Sequence, residues 1–219
     1  MKLYHLLPTQ FALQNLRHRR LKIAQINDLN DPFELIAVDH SNKEERLIWR
    51  GWKKDQEEKW GALCFSKSWR NPVLWSHYGD KHKGMCLGFE VSDDLLMPIR
   101  YTKKRIKVDI AQYLVLGKLD TKLMSTLLRT KFFDWRYEKE VRIFASLKIK
   151  DQETGLFFCD FNEKLRLVEV ITGPLCDETE ETIRSCLRHE DCGVKLTKSR
   201  LAFQSFDVVE NKQGFSNST

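Results

Sequence analysis

The chain has 219 residues, of which 42% are hydrophobic and 31% are charged, and its formal net charge is +6. This apolar content is enough for a core, and no Pro-, Gly- or Ser-rich linker divides the chain, so a disordered protein or two small domains are disfavoured. The chain starts without an apolar signal segment and has no apolar run long enough to cross a bilayer, so we expect a cytoplasmic protein with no membrane partner. Six cysteines without a C-x-x-C pair favour core packing over zinc ligation.

The sequence predicts many short strands mixed with helices, rather than a regular alternation of strand and helix. Apolar runs bounded by turn residues indicate strands, and longer stretches with apolar residues on one side indicate helices, the first of them with Thr9 as its N-cap. This order is typical of an α+β fold in a single domain at 1–210, followed by a flexible C-terminal tail at 211–219. Strands are predicted at 3–7, 21–24, 63–65, 85–89, 138–145, 156–161, 167–171 and 194–197, and helices at 9–20, 34–60, 110–129 and 178–188.

The connection between the predicted strands at 63–65 and 85–89 is unusually rich in aromatic residues and histidine. Connections usually carry polar turn residues, and binding sites often lie on loops that rigid elements hold in place. This segment therefore predicts the platform of a site. His77 and His82 are five residues apart, so they would lie on different sides of a helix, and the H-E-x-x-H pattern of a zinc site is missing. Either one of these histidines orients a ligand or both bond to backbone in a packed loop.

A pair of carboxylates follows in the last third of the chain. If this segment is a strand, Glu138 and Glu140 project from the same face as Arg142. Two carboxylates about 7 Å apart on one strand face, next to Trp135 and Tyr137, could transfer protons or stabilise a positively charged sugar. The alternative is an exposed strand face on which glutamate pairs with Arg142.

Two smaller features complete the list of candidates. Ser66 and Ser68 would point to one side of a strand, where their hydroxyls could hold a carboxylate or a neighbouring strand. His5 lies within the first predicted strand and is either a core residue or a ligand-binding one. The motifs of serine hydrolases, dinucleotide-binding Rossmann folds and P-loops are missing from the sequence.

Four blocks of sequence resemble the family named domain of unknown function 2971, which occurs widely in bacteria and phages. The resemblance extends from Tyr4 to about Ile171 and implies no established activity. The blocks are N-D-L-N-D-P-F-E at 27–34, F-S-K-S at 65–68, L-W-S-H-Y-G-D-K-H-K-G-M-C-L-G-F-E at 74–90 and W-R-Y-E-K-E-V-R at 135–142.

A second resemblance implies a chemistry. Y-H on a first strand, S-x-S on a middle strand and E-x-E-V at the start of a late strand are similar to the ADP-ribosyltransferase superfamily. This resemblance implies a split β core flanked by helices, with NAD as the substrate, but it does not assign the phosphate-binding residues. It implies that His5 holds the adenosine-side ribose, that Ser66 and Ser68 brace the site, and that Tyr78 or Trp75 stacks on nicotinamide. It also implies that Glu140 is the catalytic carboxylate and that Glu138 activates the acceptor. His77 and His82 are further candidates for NAD binding.

The expected function is thus an NAD-binding enzyme that moves ADP-ribose to a nucleic acid or a protein, or that hydrolyses NAD. Such an activity would suit a bacterial toxin or an anti-phage effector. Two alternatives stay open. One is a non-enzymatic module whose aromatic platform and basic clusters at 17–20 and 103–107 bind nucleic acid. The other is a hydrolase or nuclease that uses His77, His82 and either Asp31 or Glu34. We expect no resident metal.

Overall fold

The fold is built around a mixed, nine-stranded sheet with the order β13-β12-β11-β5-β1-β4-β9-β6, in which β3 also pairs with β4. The computed structural model describes residues 1–39, 42–108 and 121–215. The strands are β1 (Lys2–Leu7), β2 (Arg20–Lys22), β3 (Ala24–Gln25), β4 (Trp60–Ser66), β5 (Met85–Val91), β6 (Met97–Pro98), β7 (Arg100–Thr102), β8 (Thr130–Phe132), β9 (Glu140–Ser146), β10 (Phe158–Asp160), β11 (Leu165–Thr172), β12 (Lys195–Leu201) and β13 (Val208–Glu210). The helices are α1 (Thr9–His18), α2 (Lys43–Lys59), α3 (Pro72–His77), α4 (Thr121–Leu128) and α5 (Glu180–Cys186).

The central strand β5 shows why the sheet forms. Its sequence M-C-L-G-F-E-V is buried at every position except Glu90, because β5 lies between β1 and β11 and is covered on both faces. On one face, α1 and α5 contact each other and pack against the sheet. On the other face lies a smaller cluster that includes Leu74 and Trp75 of α3. Helices α2 and α4 share a further cluster around Trp49.

The sheet is split between β1 and β4. β1 pairs with β5 along its whole length, from Lys2 to Leu7. It meets β4 at a single pair, Tyr4 opposite Ser66. Beyond that pair the strands diverge, and the Nδ1 of His5 lies 2.8 Å from the carbonyl oxygen of Cys64 across the gap. The α+β single domain with a split β core, predicted from the sequence, is confirmed.

Most predicted elements are present with shifted ends, and two local predictions are wrong. Pro8, not Thr9, occupies the N-cap of α1, and the Thr9 hydroxyl instead donates to the carbonyl of Lys83. Glu138 does not lie on β9, because a 3-10 turn (Phe133–Glu138) precedes Lys139, whose φ of 46° breaks the extended backbone. Strands β6, β7, β8 and β13 were not predicted.

Two other predictions, the helix at 110–129 and the tail at 211–219, extend into residues that the structure does not describe. The predicted helix at 110–129 is described only over α4. Of the predicted tail, residues 211–215 contact the domain, since Asn211 N–H donates to the carbonyl of Lys198 and Phe215 packs against the main core. Residues 216–219 are not described.

None of the helices in the described part of the chain combines the length and the apolar character that a membrane span requires.

Candidate active site in the split of the sheet

A cavity of about 220 Å³ occupies the split between β1 and β4. It is smaller than the ~300–1,000 Å³ of sites that enclose a drug-sized ligand, so it fits one part of a larger molecule. Its walls combine apolar side chains with a group of charged and hydrogen-bonding ones. The lining side chains are Tyr4, His5, Leu6, Lys22, Ala24, Asp28, Leu29, Asn30, Ala62, Cys64, Phe65, Ser66, Leu74, Tyr78, Lys131, Glu138, Glu140 and Arg142.

Glu138 and Glu140 belong to a buried network of charges. The Nζ of Lys131 lies between them, 2.6 Å from an oxygen of Glu138 and 3.1 Å from one of Glu140. The Nε of Arg142 donates to Glu140 at 2.6 Å, and both Nη atoms of Arg142 donate to Glu34. Buried charges persist only when they are paired and hydrogen-bonded. With all groups ionised, three carboxylates face two cations, which leaves one negative charge in excess.

The two carboxylates of this pair have different pKa values. Burial alone would raise the pKa of Glu140, but the adjacent Arg142 and Lys131 outweigh it and lower the pKa to about 2. Burial raises the pKa of Glu138, and Lys131 offsets only part of that effect. Glu140 therefore stays ionised at neutral pH, whereas Glu138 is the better proton acceptor. Two carboxylates with divergent pKa values are typical of sites that divide electrostatic and acid/base roles.

The hydrogen bonds of Glu138 leave it able to bind a ligand. One of its oxygens accepts from the Tyr78 hydroxyl and the other from Lys131, although a carboxylate offers about four acceptor positions. Tyr78 in turn accepts from the amide of Asn30 at 2.7 Å. Burial, followed by the nearby Glu138 charge, raises the pKa of the Tyr78 phenol, so that it stays protonated and donates.

Ser66 holds the backbone next to the carboxylates. Its hydroxyl donates to the carbonyl of Glu138 at 2.6 Å and accepts from the N–H of Ser68 at 3.2 Å. This contact ties the end of β4 to the turn that precedes β9. Ser66 thus braces the backbone of Glu138 and lines the cavity as well.

His5 lies on the β1 side of the same cavity. A carbonyl oxygen can only accept, so the contact with Cys64 requires the hydrogen on Nδ1. Burial lowers the pKa of His5, which keeps the ring neutral near pH 7 and leaves Nε2 as a bare acceptor. The structure thus brings together His5, Ser66, Tyr78, Glu138 and Glu140 from distant parts of the sequence.

Four other candidate residues do not line this cavity. Trp75 is fully buried in the core and donates its ring N–H to the carbonyl of Trp69 at 2.6 Å. Ser68 lies beyond the end of β4, and its hydroxyl accepts from the N–H of Arg70. The ring of His77 stacks on Tyr137 with centroids 6.1 Å apart. His82 bonds Ser76 at 3.1 Å. Of these, Trp75 is corrected to a core residue, because its side chain has no exposed surface and packs in the hydrophobic cluster of α3.

The histidine-based hydrolase is not favoured by this arrangement. Glu34 is occupied by both Nη atoms of Arg142, and no contact joins it or Asp31 to His77 or His82 among the described residues. In residues 1–39, 42–108 and 121–215, no three His, Cys, Asp or Glu side chains are grouped as metal ligands would be.

The sequence did not identify Lys131 or Asn30 as site residues. It indicated Arg142 only as a partner of the two glutamates, and Glu34 only as a residue of the alternative hydrolase. Three of them lie in the blocks quoted above, Asn30 and Glu34 in the first and Arg142 in the last, and that position was the available signal. Lys131 lies outside the blocks, and only the folded structure reveals its position between two carboxylates.

Comparison of the chain with protein-family models, with curated proteins and with solved structures finds no match in any of the three.

Proposed function

We propose that this protein is an ADP-ribosyltransferase-like enzyme that binds NAD in the split of the sheet and transfers ADP-ribose to a macromolecule or to water. The observation that carries the proposal is the convergence of His5 with Glu138 and Glu140 on one cavity. These residues come from opposite ends of the predicted pattern, and unrelated core positions would have no reason to bring an imidazole and two carboxylates to one cavity.

The sequence blocks support both the site and the proposed membership in the family named domain of unknown function 2971. Each of the four blocks contributes at least one side chain to the cavity wall. Motifs that served only packing would be distributed over the core. These side chains include Asn30 from the first block, Ser66 from the second, Tyr78 from the third, and Glu138, Glu140 and Arg142 from the fourth.

The cavity suits the nicotinamide ribose, with the remainder of the dinucleotide extending outside. In the reaction, the bond between the ribose carbon and the nicotinamide nitrogen breaks, and both electrons leave with neutral nicotinamide. The positive charge that develops on the sugar is stabilised by the ionised Glu140. An acceptor hydroxyl or a water molecule then bonds to the same carbon and gives its proton to Glu138. The Nε2 of His5 accepts a hydrogen bond from a ribose hydroxyl.

The test is consumption of NAD labelled in its adenylate part, with and without cell extract, by the full chain. We expect Glu140→Gln and Glu138→Gln each to lower turnover about 10²-fold or more, since each removes a group that acts on the reacting atoms. Glu34→Gln is the matched control, because it removes a carboxylate from the same network but from outside the cavity wall.

Circular dichroism of all three variants separates loss of fold from loss of chemistry. If wild-type protein neither consumes NAD nor transfers label in extract, the proposal is wrong. It is also wrong if folded Glu34→Gln loses as much activity as folded Glu140→Gln, because the effect would then belong to the network and not to the cavity.

A further inference from the structure

A second concave surface adjoins the candidate active site. It has a volume of about 270 Å³ and lies where the short parallel pair of β7 and β8 meets the segment around Phe33. We name it the basic groove and define it by Phe33, Lys103, Lys104, Arg105, Lys131 and Phe132. Lys131 lines both this groove and the cavity that holds Glu138 and Glu140. A ligand in the groove would thus lie next to the carboxylates.

The groove is positively charged and has no acidic residue in its described lining. Lys103, Lys104 and Arg105 follow β7 directly, and all three are exposed. Within residues 1–39, 42–108 and 121–215, none of the three forms an ion pair with a carboxylate. By contrast, Arg20 and Lys22 pair with aspartates elsewhere on the surface. Three adjacent cations that pair with no carboxylate in those ranges can attract an anion with several charges.

The groove also presents aromatic faces. Phe33 is 48% exposed and Phe132 is 44% exposed, so part of each ring is open to a ligand in the groove. Arg105 lies 5.3 Å from the centre of the Phe33 ring. Cations beside exposed aromatic rings match a ligand in which phosphates alternate with flat bases.

We propose that the basic groove binds single-stranded nucleic acid, with phosphates on Lys103, Lys104 and Arg105 and bases on Phe33 and Phe132. A duplex hides its base faces, so it could not use the rings, and the acidic side chains of a peptide carry no aromatic ring to stack on them. The proposal of nucleic-acid binding depends only on the residues of the groove. The further role of this strand as the acceptor of ADP-ribose rests on the proposed function.

The experiment measures fluorescence anisotropy of labelled oligo(dT) and oligo(U) of about a dozen nucleotides, with the full chain and without NAD. The test variant is Lys103→Ala/Lys104→Ala/Arg105→Ala. The control is Lys54→Ala/Lys148→Ala/Lys150→Ala, which removes the same charge from exposed positions outside the groove. We expect the test variant to bind at least about tenfold more weakly at low salt, and its log-log salt slope to flatten by about 2. The control keeps the wild-type slope.

A second pair of variants tests the stacking. Phe132→Leu should weaken oligonucleotide binding about fivefold or more, because each stacked base contributes substantially to affinity. Phe206→Leu, at a ring that is 97% exposed on another part of the surface, should leave it unchanged. Circular dichroism again reports folding.

The inference is overturned if the wild-type chain binds neither oligonucleotide, if both triple variants weaken binding equally, or if a duplex of equal length binds as tightly. It is also overturned if NAD displaces the oligonucleotide and the test variant raises the KM for NAD, because the groove would then hold the phosphates of the dinucleotide. Oligonucleotide binding by Glu140→Gln separates the two proposals. If that variant and the wild type bind single strands but no NAD is consumed, the proposal of nucleic-acid binding is supported and the proposed ADP-ribose transfer is wrong.

Discussion

At the scale of single residues, Lys131 makes the candidate site possible. Its ammonium lies between Glu138 and Glu140, and all three side chains are buried. Without a cation there, two carboxylates in a poorly solvated region would repel each other and one would take up a proton. Burial would lower the pKa of Lys131, but the charges of Glu140 and Glu138 raise it above its usual value, so the cation persists at neutral pH.

Lys131→Met should therefore destabilise the domain by about 3–5 kcal/mol at pH 7, since it leaves the buried Glu138 without a cation and Glu140 with only Arg142. The loss should shrink below about pH 5, where protonation of a carboxylate relieves the repulsion. Urea unfolding at both pH values measures the effect. Lys150→Met, at an exposed position, is the control and should change stability by less than about 0.5 kcal/mol. An equal loss at both pH values would contradict the charge argument.

The raised pKa of Glu138 leads to a prediction about the pH dependence of the proposed reaction. Because burial raises its pKa, the carboxylate takes up a proton at a higher pH than an ordinary glutamate does. If it accepts the proton of the acceptor, kcat/KM for NAD should fall on the acidic side, with a midpoint above the ordinary glutamate pKa of about 4.3. Glu140, with a pKa of about 2, stays ionised throughout that range.

The measurement is the pH profile of wild type against Glu138→Gln. The variant should be slow and should have lost the acidic limb, since glutamine does not titrate. An acidic limb that survives in Glu138→Gln would assign the titration to another group.

At the scale of elements, the connection from α3 to β5 holds Tyr78 in place through backbone contacts. Asp80, Lys81 and His82 have φ values of 45°, 52° and 74°, a conformation that costs L-residues roughly 1 kcal/mol or more each. Backbone bonds maintain it, among them Gly84 N–H to the Gly79 carbonyl at 2.8 Å. The end of β11 docks on this connection, where Gly173 N–H donates to the carbonyl of Gly84 at 2.9 Å.

Gly173→Ala should disturb this docking. A Cβ at position 173 would lie 2.2 Å from the carbonyl oxygen of His82 and 2.9 Å from that of Gly84, and both are backbone atoms that cannot move independently. We expect a destabilisation of about 1–3 kcal/mol in urea unfolding. Gly193→Ala is the control, because a Cβ there would have nothing within 4 Å. Equal stability of the two variants would show that the connection adapts to the β11 end.

At the scale of the whole molecule, the sheet consists of two parts that meet at the site. One part contains β1, β5 and β11, and the other contains β4 and β9; the Tyr4 to Ser66 pair and the His5 contact with Cys64 join them. A cavity placed at such a junction has rigid walls on both sides and few backbone bonds between them. The core thus positions the candidate residues without filling the space between them.

Hydrogen exchange should reflect this arrangement. Amides of β5 should exchange most slowly, because the strand is paired on both sides and buried. Amides of the edge strand β13, and the Met97 amide of the edge strand β6, should exchange faster by orders of magnitude. Mass spectrometry of peptic fragments, or NMR, measures the order. Slower exchange in an edge strand than in β5 would contradict it.

Local patterns in the sequence determined much of this protein. Short apolar runs bounded by turn residues, such as Met85 to Phe89, are typical of buried strands, so the α+β class and most elements followed from them. The candidates His5, Ser66, Tyr78, Glu138 and Glu140 also came from sequence, through short motifs that resemble known families. Such motifs name residue types and order, and they do not depend on register.

Only the tertiary structure decided which candidate residues line the same cavity and which cations neutralise their carboxylates. Trp75 and Tyr78 are three residues apart on the same connection, yet Trp75 is packed in the core and Tyr78 reaches Glu138, a difference set by how α3 docks on the sheet. Likewise, Glu34 and Arg142 are 108 positions apart, and they pair only because the fold places the turn that carries Glu34 beside β9. Long-range pairings of this kind depend on strand register and packing, which no local pattern contains.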